Sequence, residues 1–214
     1  MAITFPRTDI MTLVDYSADT APPQLVSRQE MSRQGSGRTI GKDFGSALWL
    51  MSYATKPLPN DDALAFEAAL DSLDGVIQTF EAADLRRIMP RLYPDGTGAN
   101  NGTLLSVNAN NKALALSGLA AGQVVSVGDY LSFNYGTARA LHRAVETVTA
   151  NGSGVTAQFE VRPHIRTGWT LSPAITVTLK TPRGIFSLVP DSVSARPSGA
   201  LHTIVSFQAV QAII

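Results

Sequence analysis

Two periodicities divide this chain. Across residues 59–91 the stretch PNDDALAFEAALDSLDGVIQTFEAADLRRIMPR carries the one strong helical pattern, with Phe66, Leu70 and Leu73 at i, i+4 and i+7 and Ala63 and Ala69 beside them. Glu67, Asp71 and Asp74 repeat that spacing on another face. Asn60 is placed as the N-cap, Asp61 and Asp62 put negative charge where the helix dipole favours it, and Gly75 ends the helix. Residues 76–82, β-branched and aromatic, predict a strand leaving the helix directly. Nearly everywhere else, apolar residues alternate with polar ones or form short runs, which is the pattern of strands. One amphipathic helix in such a chain is expected to cover an open face or end of a β-sandwich or barrel.

In chain order, residues 11–16 (MTLVDY) read as a short strand. Residues 19–23 (DTAPP) read as a loop, because two prolines remove two donors from a ladder. Residues 25–34 form a strand that turns at Gly35-Ser36-Gly37 and returns over 38–44. The continuous apolar run 47–53 (ALWLMSY) is placed centrally in its sheet. From 93 to 102 (YPDGTGANNG) the composition shifts to Gly, Asn, Asp and Pro, and Thr181-Pro182-Arg183-Gly184 makes a second break. Between the breaks lie strand signals at 103–107, 113–116, 124–127, 130–133, 140–149, 156–161 and 174–179, separated by Gly- and Asn-containing turns. Residues 185–189 and 201–213 resume the strands, and the last is read as a central strand buried on both faces. The expected architecture is therefore mainly β. A split β-sandwich or barrel with one α-helix is built from residues 1–94 and 183–214, and residues 95–182 form an inserted small β-barrel of OB-like type.

Charge changes this picture little. Lys+Arg and Asp+Glu are 17 each, and charged residues make up only 16%, below the roughly 25% usual in soluble domains. A neutral, lightly charged chain argues against nucleic-acid or anionic-membrane binding and favours self-association. With no cysteine, disulfides, thiolate nucleophiles and cysteine metal sites are all ruled out. The N-terminal MAITFPRTDIM lacks the basic and apolar regions of a signal peptide, and no run approaches the ~18 apolar residues of a membrane span. The expectation is a product made in the cytoplasm, with no membrane span.

Candidate chemistry is sparse. His142, His164 and His202 have no metal-ligand spacing and are read as cross-strand hydrogen-bonding residues. Gly35-Ser36-Gly37 with Gly41, and Gly96-Thr97-Gly98 with Gly102, miss the dinucleotide fingerprint by one residue and are read as turns. Gly152-Ser153-Gly154 lacks the flanks of a nucleophile elbow. The Glu67, Asp71, Asp74 face supplies carboxylates in a row, whereas calcium needs six to eight converging oxygens, so a solvated face is expected. Arg86, Arg87 and Arg91 are expected to pair with acids within the chain or across a subunit boundary. No catalytic, cofactor or metal site is assigned.

The segments 66–91, 127–133 (VGDYLSF), 140–154 (ALHRAVETVTANGSG), 181–188 (TPRGIFSL) and 204–210 (IVSFQAV) resemble, in pattern and order, the distal tail proteins of long-tailed bacteriophages and their minor-tail relatives. The resemblance implies a β domain carrying a helix, an inserted β domain, and a homohexameric ring joining the tail tube to the tip. It also implies contacts with the tail tube protein and the tip hub protein, residence in the virion, and no enzymatic activity. A host-surface carbohydrate or receptor module is the alternative. However, Trp169 is the only tryptophan of the inserted segment, and no aromatic-lined groove is evident there. A cell-wall hydrolase would need paired carboxylates, for which Asp129, Glu146, Glu160 and Asp191 are scattered candidates.

Overall fold

The alternating segments fold into two large sheets that share no strand, with two further two-stranded pairs, Val124–Val125 with Val148–Thr149 and Gln29–Arg33 with Thr39–Asp43. The computed structural model describes residues 3–18, 20–136, 138–166, 168 and 174–212. The first strands are β1 (Ala21–Val26), β2 (Gln29–Arg33), β3 (Thr39–Asp43), β4 (Leu48–Ala54) and β5 (Leu58–Pro59), followed by the helix α1 (Asn60–Asp71) and β6 (Thr79–Ala82). Next come β7 (Gly102–Val107), β8 (Ala113–Ser117), β9 (Val124–Val125), β10 (Tyr130–Tyr135), β11 (Ala138–Ala144), β12 (Val148–Thr149), β13 (Phe159–Arg162) and β14 (Thr176–Val177). The chain closes with β15 (Gly184–Leu188), β16 (Ser194–Pro197) and β17 (His202–Gln211).

The outer sheet has seven strands in the order β1-β4-β17-β15-β6, with β5 and β16 pairing further along β17. The other large sheet has six, in the order β10-β11-β13-β8-β7-β14. Its first and last strands meet where Ser132 and Thr178 exchange backbone hydrogen bonds of 3.0 and 2.8 Å, so it is a nearly closed barrel. The chain is mainly β with one helix among the described residues, in the sandwich and barrel class that the alternation predicts.

β17 lies between β4 on one side and β15 and β16 on the other, the central place expected of it. Only one of its faces is buried, however. Val205, Phe207, Ala209 and Gln211 point inward, while Gln208 is exposed and Ser206 is half-buried. The helix covers the inward face: Phe66 packs on Phe207 with ring centroids 6.1 Å apart, and Tyr16, Tyr53 and Phe80 ring the same Phe207. Phe66, Leu70 and Leu73 are all buried, and each such side chain contributes about 1.5–3 kcal/mol by leaving water.

Four local expectations are corrected. Pro59, not Asn60, occupies the N-cap position, and the Asn60 side chain accepts a 2.9 Å hydrogen bond from Thr203 Oγ, tying α1 to β17. The strand after the helix begins at Thr79 rather than at 76: Asp74 and Gly75 both have positive φ, the Gln78 N–H returns to the Leu73 carbonyl at 2.9 Å, and Val76 and Ile77 stay exposed on the resulting turn. Residues 11–16 form no strand: the Asp9 carbonyl accepts from the Thr12 and Leu13 amides at 2.7 and 3.0 Å, and Tyr16 alone makes an isolated bridge, to Thr55. Pro22 and Pro23 lie within β1 rather than in a loop; Asp19 of that segment lies outside the described residues. β1 is the sheet's edge, and its register against β4 shifts between Ala21 and Gln24, so the missing donors fall on an irregularity that needs none.

Candidate assembly surface

β2 and β3 pair with each other alone, as a two-stranded ribbon outside both large sheets. The register runs from Gln29↔Asp43 to Arg33↔Thr39, and the turn is closed by Gln34 N–H to Arg38 O and Gly37 N–H to Gln34 O, both 2.9 Å. Gly37, at φ 82, supplies the left-handed residue this turn requires. Every residue of both strands is exposed. Alternation puts Met31 on one face and Ile40 on the other, so each face of the ribbon shows an apolar side chain to solvent. Phe44, at the base, lies 5.4 Å beneath the Lys42 ammonium and is still 51% exposed. A hairpin of this size is at best marginally stable on its own in water, and burial elsewhere has to compensate. At its root Arg28, Gln29 and Asp43 line a cleft of about 320 Å³ with Arg162, Pro163 and His164.

The second exposed feature is the outer side of α1. Asp61, Asp62, Leu64, Ala68 and Asp71 are exposed, Glu67 is half-buried, and Asp74, Val76 and Ile77 extend the surface beyond the helix end. Among the described residues no ion pair involves Glu67, Asp71 or Asp74, in keeping with a solvated face. Arg7 caps the C-terminal end of α1 from a distance in sequence: its guanidinium donates to the Ala69 carbonyl at 3.0 Å and to Ser72 Oγ at 2.7 Å. The same guanidinium is paired with Asp9, and this hydrogen-bonded pairing holds the Asp9 carboxyl below its usual range. Sequence reading missed this contact. Its one available signal was a cation near the N-terminus with no local acid except Asp9.

Where the two sheets meet, charged groups are consumed by structure. Trp49 Nε1 donates to the Leu141 carbonyl at 2.8 Å, Tyr130 packs edge-on against Trp49, and the Arg143 guanidinium sits 5.0 Å over the Trp49 ring. Buried Asp84 accepts two bonds from the Arg86 guanidinium, at 3.0 and 2.8 Å. Buried Asp129 accepts from the Ser126 and Arg91 amides, both at 2.8 Å, with Arg87 3.9 Å away. Arg86 and Arg87 thus find their acids within the chain, and Arg91 reaches Asp129 through its backbone. Arg139 and Arg183 both address Glu81, at 2.8 and 3.7 Å, from opposite sides of the seam. Removing the partner of such a buried carboxylate would leave its charge uncompensated, at a cost of about 3–5 kcal/mol.

Two of the other candidates for hydrolytic chemistry, Glu146 and Glu160, are likewise occupied. Glu146 accepts from the Glu160 amide at 2.9 Å, and Glu160 pairs with Arg162 at 2.7 Å. Asp191 sits in the turn between β15 and β16, at φ 58. His142 is the cross-strand hydrogen-bonding residue expected of it, contacting the Pro163 carbonyl and the Tyr135 hydroxyl. His164 lies in the cleft at the root of the ribbon, and His202 opens β17 at the surface. Trp169 lies outside the described residues. Among the described residues no three of His, Asp and Glu come together as a metal-binding group. No helix among them is long and apolar enough to cross a membrane. Neither a comparison with models of known protein families nor one with characterised proteins gives a match.

Proposed function

We propose that this protein is a structural, ring-forming component of the tail tip of a long-tailed bacteriophage, joining the tail tube to the tip and catalysing no reaction. The observation that carries this reading is the β2–β3 ribbon, exposed on every strand residue and showing apolar side chains on both faces. Such an element adds little to the stability of its own chain and is suited to being covered by another. Low charge density supports the same reading, because the cores of permanent interfaces are depleted of Lys, Glu and Asp. The order of sequence patterns from residue 66 to 210 supplies the tail-tip assignment, and with it a ring of six copies between the tube protein and the hub protein. Immunogold labelling of intact phage particles is expected to mark the junction of tube and tip. Absence of the protein from virions, or turnover of peptidoglycan or polysaccharide by the purified chain, overturns the proposal.

A further inference from the structure

The ribbon and the outer side of α1 are opposite in charge, and we infer that in the assembled ring the β2–β3 ribbon of one copy lies along the α1 surface of the next. This rests on the ring-forming reading above and names the contact that closes the ring. From residue 28 to 44 the ribbon and its root carry Arg28, Arg33, Arg38 and Lys42 against Glu30 and Asp43, four cations less two acids, or +2. From residue 57 to 85 there is no Lys or Arg at all, and Asp61, Asp62, Glu67, Asp71 and Asp74 supply five negative charges on and just beyond α1. Among the described residues, none of these five acids and none of Arg33, Arg38 and Lys42 makes an ion pair. In a chain of zero net charge, three cations outside any ion pair thus sit on the ribbon and five such acids sit on and just beyond α1.

Apolar groups match as well. Met31 and Ile40 lie on opposite faces of the ribbon, 65% and 46% exposed, so whichever face docks brings one apolar side chain, and Leu64 and Ile77 beside the acids are 63% and 70% exposed. Apolar contact supplies affinity, while the opposed charges set register and suppress ribbon-to-ribbon or helix-to-helix encounters. Because the two patches differ, the contact is heterologous, the kind that a rotation repeats into a ring. A second copy is thus the occupant the charges select.

The chain has no cysteine, so introduced cysteines report contacts cleanly. Full-length Ser36→Cys, at the ribbon turn, is mixed with full-length Ala68→Cys, on the exposed side of α1, under mild oxidation. A disulfide-linked dimer is expected at least about tenfold faster than for Ser36→Cys mixed with Ser153→Cys, a turn of the barrel, because docking raises the effective concentration of the pair. The advantage is expected to shrink in about 0.5 M salt, where exposed charges are screened. Adding Arg33→Glu, Arg38→Glu and Lys42→Glu to the ribbon variant should abolish the advantage, and Asp62→Lys with Asp71→Lys on the helix variant should restore it. That restoration separates lost docking from lost folding. Cross-linking no faster than the Ser153→Cys control, tip-to-tip pairing of Ser36→Cys in its place, or no restoration by the reversed charges each overturns the contact. Rings seen by electron microscopy alongside such a failure leave the ring-forming reading standing, whereas absence from virions removes that reading itself.

Discussion

His142 sits in the barrel wall with both ring nitrogens engaged. The Pro163 carbonyl can only accept, so Nδ1 donates to it at 2.9 Å, and Nε2 is left to accept from the Tyr135 hydroxyl. The ring also stacks on Phe133 at 5.2 Å. Burial lowers the imidazole from 6.5 to about 4. The folded state therefore refuses a proton that the unfolded chain accepts, and stability falls as pH drops from about 6.5 to about 4, levelling off below that. A shift of this size corresponds to a loss on the order of 3 kcal/mol. His142→Gln is expected to flatten the loss across that window, as read from denaturant midpoints at its two ends. Gly154 is a second single-residue constraint. At φ 72, an added Cβ would lie 2.2 Å from the Leu119 carbonyl oxygen, and Gly154 O itself accepts the Leu119 amide at 3.1 Å. Gly154→Ala is expected to cost about 3 kcal/mol or more, measured by thermal melting.

Elements differ in what they contribute to the isolated chain. α1 is held by Ala63, Phe66 and Leu70 against β17, with Leu73 buried just past its end. Leu70→Ala should cost about 2–5 kcal/mol, the range for truncating a buried leucine. An unchanged denaturant midpoint would mean that this stripe does not stabilise the free chain. The ribbon behaves in the opposite way. Replacing residues 29–43 with a short glycine linker removes only exposed strands, so the melting transition should hold to within about 0.5 kcal/mol. A large drop in stability would show the ribbon to be part of the monomer's own core and would remove the ground for its role in assembly.

For the molecule as a whole, every strand of the outer sheet lies between residues 21 and 82 or between 184 and 211, and every barrel strand lies between 102 and 177. Excising residues 95–182 and joining 94 to 183 by a short linker is expected to yield two pieces that each melt cooperatively. Both should melt below the intact chain, since Tyr130 and Leu141 of the barrel are buried in the outer core and Trp49 would lose its carbonyl partner. If circular dichroism shows neither piece melting cooperatively, residues 1–214 form one continuous folding unit.

Strand positions were legible in the sequence wherever burial and turn chemistry are local. The alternation of Trp49, Met51 and Tyr53 marked β4, the run around Tyr130 and Phe133 marked β10, and Asn111 and Gly118, both at positive φ, bound β8. The Phe66, Leu70, Leu73 stripe fixed the helix in the same way, because 3.6 residues per turn leaves a mark within a dozen residues. The acidic face and the basic ribbon were equally present in the letters, but their isolation was not. Alternation reads the same for a strand in a sheet and for one in a ribbon that nothing covers, so the exposure of Met31 and Ile40 was decided by tertiary structure. β16, with the sequence SARP, is exposed throughout and has no apolar pattern; it is a strand only because β17 offers it an edge. Pro22 and Pro23 enter β1 for a similar reason, since their place on an irregular edge depends on β4. The Trp49–Leu141 hydrogen bond spans 92 residues and the Arg7–Ala69 cap spans 62, beyond the reach of any local pattern. The sequence determined where the chain would extend, coil and turn, because those preferences are settled by neighbours; which faces meet and which stay open was settled only when distant segments competed for the same surfaces.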